Sequence, residues 1–370
     1  MRAAGRPVIS LSAGEPDFPT PEAIAEAGRV AITEGWTRYT QARGDGRVLA
    51  AVSDHLERSF GLRYRTEEIC ITAGTKPAIY LGLLSLLEPG DEVVVFAPYW
   101  VSYPDIVRLA GGVPRIHPCT EDRGFLPDPE ELESLCSDTK VRGLILNTPN
   151  NPTGAVWPPA LVETLVRVCE RHDLWILSDE IYAQILFGDT VHVSPAEVAR
   201  GRERVLVLNG LSKAFAMTGW RIGYMAGPRE QIEAVAKIQS QLLGNPCTIS
   251  QGAALVAVDE ECERDRIAML REYDERRRFL CEELPSIPGL SFHPPRGAFY
   301  TFPGVREICG KSGMTDETLA DRLLEECEVA TVPGAAFGMP GHLRLSFAAS
   351  LADLKEALSR MRKWLGGLLQ

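Results

Sequence analysis

The 370-residue chain has no Cys-x-x-Cys pair, no apolar run long enough to span a membrane, no excess of basic charge and no Walker-type glycine string. Each absence excludes something. Nine cysteines, an odd number and none of them closely paired, argue against a zinc site or a disulfide framework; no metal is expected, and reduced thiols in a cytoplasmic protein fit better. No membrane span is expected without a run of about 18 or more apolar residues. The opening Met1–Ser10 carries two arginines but lacks the apolar core of a secretion leader. With 39 Lys+Arg against 50 Asp+Glu, a net charge of −11, a nucleic-acid-binding surface is not expected. Repeats and low-complexity tracts are missing too. What remains, 45% hydrophobic and 24% charged, is a globular composition at a length that suits a large domain plus a smaller one.

The middle of the chain alternates short apolar runs with amphipathic stretches. Strands are expected at Glu68–Thr72, Glu92–Ala97, Gly143–Thr148, Leu174–Ser178, Val205–Leu208 and Ile222–Ala226, and helices at Leu49–Phe60, Lys76–Leu87, Pro159–His172 and Glu230–Gln241. Buried strands separated by helices predict an α/β fold with a mainly parallel central sheet flanked by helices. After about residue 275 the pattern changes: strand-like runs in Leu290–Phe302, a helix at Thr318–Glu326, a strand at His342–Ala348 and a closing helix at Leu351–Leu368. The expected division is a large domain over 45–275 and a smaller α+β domain from 1–44 and 276–370.

Several segments carry chemistry. Asn209-Gly-Leu-Ser-Lys-Ala-Phe-Ala-Met-Thr-Gly-Trp-Arg221 follows a strand and holds Lys213 among apolar residues. Desolvation there lowers the amine's pKa and makes it nucleophilic towards an aldehyde, while Ser212 and Arg221 suit a phosphate. The plainer alternative is a surface lysine beside a turn. Leu174-Trp-Ile-Leu-Ser-Asp-Glu-Ile-Tyr182 puts Asp179 at a strand end, suited to bond a pyridinium nitrogen, with Tyr182 in reach of a ring oxygen; otherwise Asp179 caps a following helix. Thr148-Pro-Asn-Asn-Pro-Thr-Gly154 brings Asn150 and Asn151 to a strand's carboxyl end, where ligands of open α/β sheets gather. In Thr72-Ala-Gly-Thr-Lys-Pro77, Gly74 and Thr75 open a helix and form a candidate phosphate cup, or a simple strand–helix turn. Pro98-Tyr-Trp-Val-Ser-Tyr103 offers a ring to stack on a flat cofactor, or core packing. Leu343-Arg-Leu-Ser-Phe347 buries Arg344, which wants a carboxylate partner, either a ligand's or a structural one.

Taken in order, Ser12-Ala-Gly-Glu-Pro-Asp-Phe18, Pro98-Tyr-Trp100, Asn150-Asn-Pro-Thr-Gly154, Ser178-Asp-Glu-Ile-Tyr182, Ser212-Lys213, Gly219-Trp-Arg221 and Arg344 resemble the class I aminotransferases of fold type I, most like the bacterial aspartate aminotransferase subgroup. The likeness runs from about Val8 to the last helix. It implies pyridoxal 5′-phosphate held by Lys213 as a Schiff base, with Lys213 then serving as general base. It implies Asp179 on the ring nitrogen and Tyr182 and Asn151 on the ring oxygen. Gly74, Thr75, Ser212 and Arg221 would hold the phosphate, Trp100 would cover the ring, and Arg344 would clamp the α-carboxylate near Gly14 and Asn151. Tyr39 would reach a phosphate across the interface of a symmetric homodimer. Lys76, helped by Ser12, would read a distal carboxylate, favouring aspartate or glutamate with 2-oxoglutarate as acceptor; Lys76 as an exposed first-turn residue is the alternative. Departures from the pattern are Gly210, where many relatives have a phosphate-binding serine, a short arm before Val8, and Leu242-Leu243-Gly244 in place of small polar residues. Rival functions are a pyridoxal-phosphate lyase or tailoring enzyme, an aminotransferase for aromatic or neutral amino acids, and a non-catalytic cofactor-sensing regulator, which would need a basic DNA-binding module.

Overall fold

The computed structural model describes residues 5–369, so the first four residues of the Met1–Ser10 reading lie outside it. Near the start, β1 (Ile9–Ser10) precedes a helix at Glu22–Thr33 and another at Gly46–Phe60. The second of these is capped by Asp45, whose carboxylate accepts the Arg47 N–H at 2.9 Å, and it ends at Gly61 in the left-handed region.

Seven strands then build one sheet: β2 (Ile69–Thr72), β3 (Glu92–Ala97), β4 (Val113–Pro118), β5 (Val141–Asn147), β6 (Trp175–Asp179), β7 (Val205–Gly210) and β8 (Gly223–Ala226). Their spatial order is β2-β8-β7-β6-β5-β3-β4. Most pairings are parallel; β8 alone is reversed, antiparallel to both β2 and β7. Helices such as Thr75–Leu86, Pro159–His172 and Arg229–Leu242 connect and cover the strands. Both sheet faces are therefore buried, which explains continuous apolar runs such as Val93-Val-Val-Phe-Ala97.

Strand direction decides where chemistry collects. The parallel strands all end at one edge of the sheet, so the loops after β2, β3, β5, β6 and β7 converge there. Because β8 runs backwards, its amino end reaches the same edge. The pairing Thr72↔Gly223 thus sets Arg221 beside Gly74.

Beyond the long helix Glu263–Glu283, β9 (Tyr300–Thr301), β11 (Val332–Pro333) and β12 (Leu343–Ser346) form a small antiparallel sheet, and β10 (Val329–Ala330) pairs with β1 in parallel. Ile9 and Leu11 pack here with Phe299, Leu345 and the closing helix Leu351–Leu368. Ile24, by contrast, packs with Val48 and Ile71 under the large sheet. Leu290–Phe302 supplies only β9 and two isolated bridges, Ser291 to Gly304 and Gly297 to Leu186, so the strand-like reading of that segment was too broad. Among the described residues, no helix is long and apolar enough to cross a membrane.

The β5–β6 pairing leaves no space at Gly143. A Cβ there would lie 2.7 Å from the Trp175 carbonyl oxygen and 3.1 Å from its Cβ. Gly143→Val is expected to lower the unfolding free energy by about 2 kcal/mol through forced displacement of neighbouring backbone. Urea denaturation measures this; an unchanged midpoint would contradict the packing argument.

Candidate active site

A cavity of about 520 Å³ opens at the carboxyl edge of the sheet, between it and the β9–β12 layer. Eleven of the fourteen residues singled out from the sequence line it: Gly14, Thr75, Lys76, Trp100, Asn151, Asp179, Tyr182, Ser212, Lys213, Arg221 and Arg344. The other three do not. Gly74 lies directly behind the wall, Ser12 bonds Arg344 through its carbonyl and Ser10 through its hydroxyl, and Tyr39, 96% exposed, stands outside the cavity of its own chain.

Asp179 is the last residue of β6, and its side chain is buried. One carboxylate oxygen accepts the Tyr103 hydroxyl at 2.8 Å, and the other accepts the Ile181 N–H at 3.2 Å. Turns, and no helix, follow Asp179, so it caps no helix there. Burial pushes its pKa up to about 6, opposed first by the Tyr103 hydrogen bond and then by the Ile181 N–H. Behind it, Asn147 donates to the Asp179 carbonyl at 3.0 Å and accepts the Asn151 N–H at 3.0 Å, tying the loop after β5 to the end of β6.

Lys213 follows β7 by three residues, in a loop where Ala216 and Arg221 both take left-handed backbone angles, φ 51° and 52°. Its Nζ donates to the Gly14 carbonyl at 2.6 Å. Desolvation by the surrounding protein lowers its pKa to about 8, with Glu15 acting in the opposite sense. The amine therefore gives up its proton far more readily than an exposed lysine, as a nucleophile or proton acceptor requires.

The anion cradle depends on one glycine. Gly74 has φ 94°, and a Cβ on it would lie 2.7 Å from an Arg221 guanidinium nitrogen. Only glycine allows Arg221 to sit against the start of the Thr75–Leu86 helix, where the first backbone N–H groups lack intrahelical partners. Arg221 donates to the Thr218 and Ala73 carbonyls, and Ser212 is close by in the wall. At Gly210, a Cβ would meet the Gly223 Cα at 3.0 Å and the Ile222 carbonyl at 3.2 Å. A side chain at position 210 would therefore press on β8.

At the opposite end, Arg344 on β12 is sandwiched between the rings of Tyr300 (4.6 Å) and Phe337 (5.0 Å). It donates to the Asn151 side-chain oxygen at 3.1 Å and to the Ser12 carbonyl at 2.7 Å, while its buried Nε has no partner. A guanidinium held in this way at the cavity wall suits a carboxylate ligand. Lys76 lies 4.8 Å over the Trp100 ring, and no carboxylate among the described residues pairs with it. A wider groove of about 880 Å³ lies elsewhere; there Arg266 pairs with Glu263 and Arg58 with Glu260.

Two tyrosines escaped the sequence reading as site residues. Tyr103 appeared there only as one of a group of aromatics, yet it bonds Asp179 directly. Tyr300 bonds Tyr182, hydroxyl to hydroxyl, at 2.9 Å. The sequence signal for both was a phenol within an otherwise buried apolar segment, which needs a polar partner.

An amine of lowered pKa, a buried carboxylate, an anion cradle and a caged arginine, gathered at the carboxyl edge of a mainly parallel sheet, define an enzyme that works on small anionic molecules through a lysine. Comparison with known proteins makes the class specific. The family described as aminotransferase class I and II matches residues 6–361, and the chain belongs to it. An aspartate/prephenate aminotransferase of Thermus thermophilus is 42% identical over 367 residues, 99% of this chain and 93% of that one. A bifunctional aspartate aminotransferase and glutamate/aspartate-prephenate aminotransferase of Petunia hybrida is 43% identical, covering 97% of this chain and 77% of its own. Among solved structures, an aspartate aminotransferase from Thermus thermophilus with maleate superposes with a TM-score of 0.93 at 41% identity, covering 98% of this chain and 93% of that one. The chain has the fold type I architecture of these relatives.

Asp179 yields a pH prediction for the ligand-free protein. Its folded pKa, about 6, lies above the ordinary 3.8, so the folded state holds the proton more tightly and stability falls as pH rises through that window. Roughly two units correspond to about 3 kcal/mol. Asp179→Asn is expected to be more stable than the parent at pH 8 by up to that amount, with the gap closing towards pH 4. Denaturant titrations at the two pH values measure it; a less stable variant at pH 8 would refute the burial argument.

Proposed function

We propose that this aminotransferase carries pyridoxal 5′-phosphate on Lys213 and moves amino groups from an acidic L-amino acid, aspartate or glutamate, to a 2-oxo acid such as 2-oxoglutarate. The observation that carries the reading is the pairing of Lys213 and Asp179 in one cavity, with burial opposing the charge of each. The residues fit the cofactor. A pyridinium suits the buried Asp179 carboxylate, and a phosphate suits the cradle of Gly74, Thr75, Ser212 and Arg221. When bound, the cofactor supplies an aldehyde that joins to an amine and a ring that accepts the electrons released when an α-proton leaves.

The chain supplies the rest. Lys213 Nζ carries the cofactor and, once free, takes the substrate's α-proton and later releases it. Asp179 keeps the ring nitrogen protonated, and Tyr103 holds that carboxylate in place. Tyr182 and Asn151 bond the ring oxygen, and Trp100 covers the ring face. Arg344, its plane fixed by two rings, orients the α-carboxylate, with Gly14 and Asn151 alongside. Lys76, an unpaired cation in the wall, reads the distal carboxylate, with Ser12 close behind. The relative solved with maleate, a dicarboxylate, supports an acidic substrate.

The assembly proposed is a symmetric homodimer in which Tyr39 serves the partner's phosphate; its near-complete exposure, and the half-exposed apolar side chains of Leu242 and Leu243, support an interface there. Nine free thiols support a reducing, cytoplasmic setting. The proposed domains are 45–275 and the combination of 1–44 with 276–370. Within 1–44, Ile9 and Leu11 pack with the second core and Ile24 with the first, so the chain crosses over before Glu22.

Incubation with glutamate and a panel of 2-oxo acids, prephenate included because several relatives carry it in their names, tests the reaction. New amino acids are expected; no new amino acid there, with ammonia and pyruvate released instead from a β-substituted alanine such as β-chloroalanine, would mean elimination and overturn the assignment. Lys76→Ala removes one charge-assisted contact of about 1.5–3 kcal/mol, so kcat/KM for aspartate should fall by roughly ten- to a hundredfold and for neutral amino acids much less. Equal losses would show that Lys76 does not read the side chain.

A further inference from the structure

We propose that Tyr300 is a positioning residue that joins the two ends of the site, strengthening Tyr182 as a hydrogen-bond donor and holding Arg344 flat. The inference rests on the pyridoxal-phosphate reading above.

Strand register brings Tyr300 to this place. Tyr300 on β9 pairs with Ser346 on β12, and Arg344 lies two residues from Ser346, on the same face of that strand. Diagonal neighbours of this kind touch through long side chains, and the ring lies 4.6 Å from the guanidinium. Its hydroxyl reaches 2.9 Å from the Tyr182 hydroxyl, and no other acceptor for it is recorded among the described residues. Both phenols are buried, and burial raises both pKa values. Each therefore stays protonated and carries one hydrogen.

The hydrogen count fixes the direction of the chain. If Tyr182 spends its single hydrogen on the cofactor's ring oxygen, its own oxygen must accept from Tyr300. A phenol that accepts a hydrogen bond becomes a stronger donor, so Tyr300 reinforces the bond Tyr182 makes. A donor at the ring oxygen competes for its lone pairs with the proton on the nearby Lys213 nitrogen. Strengthening that donor lowers the pH at which the proton leaves. Tyr300 thus sets the protonation of the Lys213 nitrogen through its hydroxyl and steadies the carboxylate clamp through its ring.

Two variants of the cofactor-loaded enzyme separate these contributions. Tyr300→Phe keeps the ring and loses the hydroxyl; the midpoint of its visible-absorbance pH titration should rise by about half a unit or more, while the maleate dissociation constant stays within about twofold of the parent value, because the stacked ring remains. Tyr300→Leu should raise the midpoint similarly and also weaken maleate by about three- to tenfold, as the cation–π contact of about 0.5–1 kcal/mol or more is lost. A Tyr300→Phe midpoint equal to the parent's would overturn the hydrogen-bond role, and a Leu variant binding maleate as tightly as the Phe variant would overturn the clamp role. If the parent enzyme with added cofactor showed no titrating visible band at all, the underlying reading would fail instead, so the two failures are distinguishable.

Discussion

Asp179 and Lys213 stand at the ends of neighbouring parallel strands, and burial works against the charge of both. In water a carboxylate and an ammonium would each be fully ionised. Inside this cavity the acid is pushed up to about 6 and the amine down to about 8, so their tendencies to ionise are drawn together. That constraint organises the surroundings. Tyr103 and the Ile181 N–H hold the carboxylate, and the Gly14 carbonyl holds the amine. An acid short of positive charge and an amine that readily loses its proton together suit a cationic aromatic ring bearing an aldehyde.

The segment near the chain's start ties the site to both halves of the structure. Its Ser12 carbonyl accepts from Arg344, and its Gly14 carbonyl accepts from Lys213. Glu15 accepts from Thr218 at 3.0 Å, and Asp17 pairs with buried Arg276 on the long helix at 2.7 Å. Thr20 donates to the Ala216 carbonyl within the lysine loop. These bonds close one wall of the cavity and join the carboxyl edge of the large sheet to the β9–β12 layer. Distant parts of the sequence thereby become one binding surface.

Much of this was legible in the residues themselves. Buried parallel strands are short, uniformly apolar and separated by helices, so β3, β6 and β7 stood out, and each delivers a chemical group just past its end. The edge strand β4 did not, because Val113-Pro-Arg-Ile-His-Pro118 is half exposed and carries two prolines, both signs of non-strand in isolation. Glu263–Glu283 was missed as a helix for a similar reason. It buries only Met269, Tyr273, Arg276 and Leu280 among many charges, so its apolar stripe is thin. The reversal of β8 was equally hidden, since its residues read as one more buried strand. Tyr103 and Tyr300 act through hydrogen bonds to residues 76 and 118 positions away, which no local pattern encodes.

The central claim is that the Lys213 amine bonds covalently to the aldehyde of pyridoxal 5′-phosphate. Borohydride reduction of the enzyme with added cofactor, followed by digestion and peptide mass mapping, tests it most directly. The account predicts a single phosphopyridoxyl group, on Lys213. A label on another lysine alone, or none on the peptide containing residue 213, would contradict it.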